Sequence, residues 1–188
     1  VVDRIFAEAR RRGVKCVAIM LNKDVEEMIF LAKRVKPDIL HIAGMDYTAD
    51  EAFAERLHKE CPGVKLMQAV LVDGPAAVDR AKHYATFCDF LLTDSGLAAD
   101  TGIGASGMTH DWSIDAEIVR SVNIPVIVAG GLGPDNVEEC IRQIRPYGVD
   151  SLTKTSYKYS DGVMEKDIDK VRLFCQRADA AAAEYENK

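Results

Sequence analysis

The sequence has no C-x-x-C pair. Its five cysteines, Cys16, Cys61, Cys88, Cys140 and Cys175, are odd in number and widely spaced. Such spacing builds neither a disulfide framework nor a zinc–thiolate site. No apolar run approaches the roughly 18 residues that span a bilayer, so no membrane partner is expected. No signal peptide is visible, and dispersed thiols suit a reduced, cytoplasmic setting. Positive charge is in deficit: 24 Lys and Arg face 30 Asp and Glu, for a net charge of −6. That balance argues against a nucleic-acid partner. No G-x-G-x-x-G follows the first predicted strand, which removes the dinucleotide fingerprint. His41, His58, His83 and His110 share no ligand spacing, so neither a metal nor another cofactor is expected.

What is present is a chain of 188 residues, one domain by length and long enough for a real core. Helix and strand patterns alternate along it. Val1–Arg12 reads as a helix stopped by Gly13, and Lys15–Leu21 as a buried strand. Asp24–Val35 places Val25, Met28, Ile29, Ala32 and Val35 on one helical face before Pro37. Ile39–Ala43 is a strand closed by Gly44. Thr48–Cys61 is a helix, with Thr48 as N-cap and Glu51 at capping-box spacing. Val64–Leu71 is a strand, Pro75–Ala85 a helix and Phe87–Thr93 a strand ending at Asp94. A glycine-rich loop follows, then a helix over Ser113–Val122. The strand Pro125–Ala129, a helix over Val137–Ile144, a strand from Val149 and a terminal helix over Lys166–Glu186 complete the chain.

Strict βα alternation implies a parallel sheet. The spacing suits a (β/α)8 barrel, with a doubly wound open sheet as the structural alternative. About six strands are predicted where a barrel has eight. Val1 is not a methionine and falls within a helix pattern, so an N-terminally incomplete single barrel domain over residues 1–188 is the expectation.

Chemistry in a barrel sits at the C-terminal ends of its strands. Gly130 and Gly131 end one strand beside a helix N-terminus, where bare backbone N–H groups can hold a phosphate. A tight turn would need the same glycines. Asp94 follows the apolar Phe90-Leu-Leu92, and a partly buried carboxylate there can act as general acid or base. It could equally brace the long loop. Thr153, Lys154 and Thr155 end the last strand with hydroxyls and an ammonium, groups that suit an anion. His41, Gln68 and Ser95 are candidate substrate-lining residues by the same placement, His41 being mid-strand and more readily a lining or core residue than a ligand. Ser106 and Gly107 lie in the long loop, a candidate lid. That loop lacks the Lys-Ser/Thr ending of a P-loop.

Three stretches carry a family resemblance. Asp89-Phe-Leu-Leu-Thr-Asp94-Ser95 resembles a sixth barrel strand ending in Leu-x-Asp-Ser/Thr. Gly104-Ala-Ser-Gly-Met-Thr-His-Asp-Trp112 resembles a G-G-[ST]-G-x-x-F-[DN]-W loop. Gly130-Gly-Leu-Gly-Pro-Asp-Asn136 with Arg145-Pro-Tyr-Gly-Val-Asp150 resembles a G-G-L-x-P-x-N-V and R-P-x-x-V-D pair. Together they resemble the phosphoribosylanthranilate isomerase family of tryptophan biosynthesis, over about Val14 to Ala178. The resemblance implies a (β/α)8 barrel and a cofactor-free aldose–ketose (Amadori) isomerisation of a phosphorylated small-molecule substrate, with Asp94 as the acid. It places the general-base cysteine and a carboxylate-binding arginine on strands that precede this sequence. Two strand ends depart from the family pattern: His41-Ile-Ala-Gly44 stands for Gln-Leu-His-Gly, and Asp150-Ser-Leu-Thr-Lys-Thr-Ser156 for Asp-x-Ser-Ser-Gly-Val-Glu. A different phosphosugar isomerase or epimerase on the same scaffold therefore stays open, as does a non-catalytic barrel that binds a phosphometabolite or a partner. A homodimer is also left open.

Overall fold

Two periodicities shape the molecule: alternating apolar residues in short strands, and helices with one apolar face between them. The computed structural model describes residues 1–44, 46–94, 97–98, 102–103, 111–160 and 162–186. The elements are α1 (Val2–Arg11), β1 (Val17–Met20), α2 (Val25–Val35), β2 (Ile39–Ile42), α3 (Glu51–Glu60), β3 (Lys65–Leu71), α4 (Ala76–Tyr84), β4 (Phe90–Asp94), β5 (Leu97–Ala98) and β6 (Gly102–Ile103). They continue with α5 (Trp112–Ser121), β7 (Val126–Val128), α6 (Val137–Ile144), β8 (Gly148–Val149), a 3-10 turn (Thr153–Thr155), β9 (Ser156–Lys158), β10 (Met164–Lys166) and α7 (Ile168–Glu186).

Six strands pair in the order β1-β2-β3-β4-β7-β8. Every pair is parallel, and each strand lies beside the previous one of the sheet. A doubly wound sheet would reverse its order partway; this one curls in one direction, as a barrel does. β5–β6 and β9–β10 form separate antiparallel hairpins.

Side-chain alternation separates two layers. Leu40, Ile42, Leu66, Val70, Leu91 and Val128 point toward the helices and join one large core. Met67, Leu92 and Ala129, with Ile39, Phe90 and Ile127, form a smaller cluster on the inner face of the curl. Helix ends are set locally. Asp24 accepts the Glu27 N–H at 3.1 Å to cap α2, and Lys36 ends it in the left-handed region just before Pro37.

Three sequence expectations need correcting. α3 is capped by Asp50, whose carboxylate accepts the Phe53 N–H at 2.8 Å. Asp50 directly precedes the first helical residue, so Thr48 and Glu51 form no capping box. The expected buried strand over Lys15–Leu21 is an edge of the sheet. Met20 enters the core, but Ile19 on the inner face is 61% exposed. Lys166 belongs to β10 rather than to the terminal helix. Among the described residues no helix is long and apolar enough to cross a membrane. Cys16, Cys61, Cys88 and Cys140 are buried free thiols and Cys175 is exposed; burial pushes Cys88 and Cys140 each up to about 12.

Candidate functional site

The inward alternation Phe90, Leu92, Asp94 delivers a carboxylate to the rim of the inner apolar cluster, where Asp94 is 8% exposed. The backbone fixes its height, because the Val72 N–H donates to the Asp94 carbonyl at 2.9 Å. Its neighbour is the end of β7. Ala129 N–H donates to Thr93 O at 2.8 Å, and the chain then turns through Gly130 (φ 89°) and Gly131 (φ 66°). Two consecutive residues in that region are open to glycine and costly for anything with a Cβ.

The turn is braced from below. Asn136 Oδ1 accepts the Gly133 N–H at 2.8 Å, and its Nδ2 donates to the Gly131 carbonyl at 3.2 Å. Ser151 Oγ donates to the Leu132 carbonyl at 2.6 Å, tying the end of β8 to the end of β7. Gly133 makes this approach sterically feasible: a Cβ there would stand 2.6 Å from Lys154 Cβ.

Asp94, Gly130, Gly131, Asp150, Thr153 and Lys154 consequently line one small hollow that opens to solvent. Three groups proposed separately from sequence are thus brought together: the strand-end carboxylate, the twin glycines and the polar turn after β8. Lys154 also borders a second hollow, shared with Pro134, Asn136, Lys170 and Leu173. Asp150 lines the first hollow but is exposed to solvent; the protein atoms around it shift its carboxyl upward from its ordinary pKa, against the opposing pull of Lys166. A group so placed holds its proton to higher pH than a free aspartate.

Other candidates lie elsewhere. Thr155 is 2% exposed, and its hydroxyl donates to the Ser151 carbonyl at 3.1 Å while accepting from Lys166 Nζ at 2.9 Å. Gln68 lies on the helix side of β3, with Oε1 accepting the Ala49 N–H at 2.9 Å. It holds the loop before α3 rather than facing the inner cavity. His41 does face inward, between Leu40 and Ile42 that face the helices, and its register partners are Ile19 and Met67. It is 5% exposed. Burial lowers its pKa to about 4, and its Nε2 has no hydrogen-bond partner among the described residues. Ser95, Ser106 and Gly107 lie outside the described residues. No cluster of three or more His, Cys, Asp or Glu suited to a metal ion occurs among the described residues.

Sequence reading missed Asn136, Asp150, Ser151 and Lys166. The first three stand inside stretches that were already conspicuous, but their bracing contacts depend on how two loops meet. Lys166 gave no signal, because its reach depends on the β9–β10 hairpin.

The comparisons with known proteins bear on the family and the fold. The model of the family described as N-(5'-phosphoribosyl)anthranilate (PRA) isomerase matches residues 1–177. An N-(5'-phosphoribosyl)anthranilate isomerase from Haloferax volcanii is 40% identical over 87% of this chain and 67% of its own length. The structure of the Pyrococcus furiosus N-(5'-phosphoribosyl)anthranilate isomerase is 25% identical, with a TM-score of 0.70 over 96% of this chain and 81% of that one. A phosphoribosyl anthranilate isomerase solved in complex with reduced 1-(o-carboxyphenylamino)-1-deoxyribulose 5-phosphate superposes with a TM-score of 0.73 at 22% identity. It covers 95% of this chain and 78% of that one.

Proposed function

This chain belongs to the N-(5'-phosphoribosyl)anthranilate isomerase family, and from that premise we propose that it carries the acid and phosphate-binding half of an aldose–ketose isomerisation. The substrate is a phosphoribosylated arylamine. Asp94 protonates the ring oxygen, the C1–O bond breaks, and the amine nitrogen lone pair forms an iminium at C1. Loss of the C2 proton then gives an enolamine that tautomerises to the 1-amino-1-deoxyketose. The base that takes the C2 proton is assigned to no residue here. The observation that carries this reading is the single hollow in which Asp94 faces the Gly130–Gly131 turn and the Thr153–Lys154 turn. Those glycine amides, the Thr153 hydroxyl and the Lys154 ammonium hold the phosphate, which anchors the sugar with its ring toward the carboxylate. The phosphorylated ligand in a solved relative supports this ligand class.

The six parallel strands belong, in this reading, to an eight-stranded barrel whose other two strands would lie between β8 and β1. The exposed inner face of β1 supports that placement. Buried, unpaired thiols support a reducing cytoplasmic setting.

The test is complementation of a tryptophan auxotroph by the full-length gene, wild type against Asp94→Asn. Growth with the wild type and none with the variant is the expected result. Equal growth removes Asp94 from the mechanism. A second reading, an isomerase or epimerase of another phosphosugar, is favoured by one observation: Lys154 replaces a glycine in the turn after β8. Failure of the wild-type gene to complement, alongside isomerisation of a different sugar phosphate, would select it.

A further inference from the structure

The turn after β8 has a holder that the rest of the site does not explain. Lys166 lies at the end of β10, paired across the hairpin with Ser156. From there its Nζ reaches back to three acceptors: the Ser151 carbonyl at 3.1 Å, the Leu152 carbonyl at 3.1 Å and Thr155 Oγ1 at 2.9 Å. An ammonium has three N–H donors, and here all three are engaged by the turn itself. Lys166 is therefore not a spare cation for an anion in the hollow; Lys154, which lines it, is. A backbone bond reinforces the grip next door, since the Asp167 N–H donates to the Thr155 carbonyl at 3.0 Å. Asp167 in turn caps α7 through the Asp169 and Lys170 N–H groups, each at 3.1 Å. The turn is thus bolted to a hairpin and to the start of a 19-residue helix.

Resting on the phosphate reading above, we propose that Lys166 is a positioning residue. It fixes the Ser151–Thr155 turn so that Thr153 and Lys154 face Gly130–Gly131 at phosphate-binding distance. The β9–β10 hairpin is the structural arm that brings it there. A lysine held by two carbonyls and a hydroxyl keeps the turn in register. Charge-assisted hydrogen bonds to carbonyls are strong enough for that task.

The experiment titrates inorganic phosphate into the protein and its variants, followed by calorimetry and by the amide NMR shifts of Gly130 and Gly131. Thermal midpoints are recorded in parallel. Lys166→Met is expected to weaken phosphate binding by about tenfold or more, with a midpoint close to wild type. Lys166→Arg restores most of the affinity, and Lys158→Met, an exposed hairpin control, changes nothing. Thr155→Val gives a smaller loss in the same direction and Thr155→Ser none. Should Lys166→Met lose its folded midpoint, Thr155→Val and Thr155→Ser decide the matter. Phosphate binding by the wild type with unchanged affinity in Lys166→Met and Thr155→Val overturns the clamp alone. Absence of phosphate binding in the wild type overturns the phosphate reading and the clamp with it.

Discussion

The two ends of the barrel use the same residue in opposite ways. At the N-terminal ends of the strands, Asp38 accepts the Cys16 N–H at 2.7 Å and Asp89 accepts the Leu66 N–H at 2.8 Å. Lys15 stands 3.2 Å from Asp38, and Lys65 stands 2.9 Å from Asp89. The Cys16 N–H is the main cause that holds Asp38 below the ordinary carboxylate range. Burial alone would raise Asp89, but Lys65, the Leu66 N–H and His58 together bring it down. At the C-terminal ends, Asp94 is buried at the rim of the inner apolar cluster, and the exposed Asp150 beside it has its carboxyl shifted upward. A carboxylate gripped by backbone N–H groups and lysines is a permanent anion that joins neighbouring strands. The proposed acid is instead a buried carboxylate at the rim of the inner apolar cluster; under that proposal, environment rather than residue type separates brace from acid.

The sharpest way to break this contrast is to exchange carboxylate for amide at both ends. Asp94→Asn is expected to lower turnover by about 10²–10⁴-fold with the fold intact. A steady-state assay next to a thermal melt checks it. Near-wild-type turnover would leave the two ends functionally alike.

His41 lies between the ends, and its effect is read in pH. Burial holds its folded pKa at about 4, below the ordinary imidazole value of 6.5. A depressed base favours the folded state fully above pH 6.5 and loses that contribution as pH falls toward about 4. The shift is worth roughly 3 kcal/mol. Urea melts from pH 7 down to pH 4 should show this decline in the wild type and a flatter one in His41→Gln. Parallel curves would mean that the buried imidazole charges without cost.

Gly133→Ala tests the contact between the two loops at the active end. It should destabilise by about 1–3 kcal/mol through the overlap with Lys154 Cβ, and Lys154→Gly should recover most of that loss in the double variant. A double-mutant cycle by chemical denaturation measures the coupling.

The smallest effect belongs to the bracing end. Asp38→Asn and Asp89→Asn each keep an acceptor oxygen, so each should cost about 1 kcal/mol and leave turnover unchanged. Both native carboxylates have folded pKa values held below the ordinary range, so their contribution is present above the unfolded carboxylate pKa and is lost as pH falls from there through the lower folded pKa. Wild type and variants should converge in stability under acid. A turnover loss in either variant would blur the distinction between the two ends.

Much of this layout could be read along the chain, because strands and helices announce themselves by period. Phe90-Leu-Leu92 before Asp94 located the carboxylate, and Gly130-Gly131 located the turn that receives positive φ. What could not be read is which loops touch. Gln68 ends in the helix layer because strand alternation depends on a register that β2 and β4 set jointly. Asp50 rather than Thr48 caps α3 because it directly precedes the first helical residue, a boundary the sequence pattern set two residues too early. Lys166 reads as a helix residue from its surroundings, and only the hairpin turns it back on the strand-eight turn. β1 reads as buried because its residues are apolar, yet its inner face meets no covering neighbour among the described residues.

The close fit of Gly133 to Lys154 also limits which substitutions the two positions can take. In the family pattern the residue after Gly-Gly-Leu is unconstrained, and the position of Lys154 is a glycine. With glycine there, an alanine or larger residue at 133 meets no facing Cβ. Once lysine is in place, position 133 is no longer free to drift. The constraint runs one way: Gly133 cannot be enlarged while Lys154 faces it, whereas Lys154 can be reduced to glycine without creating an overlap.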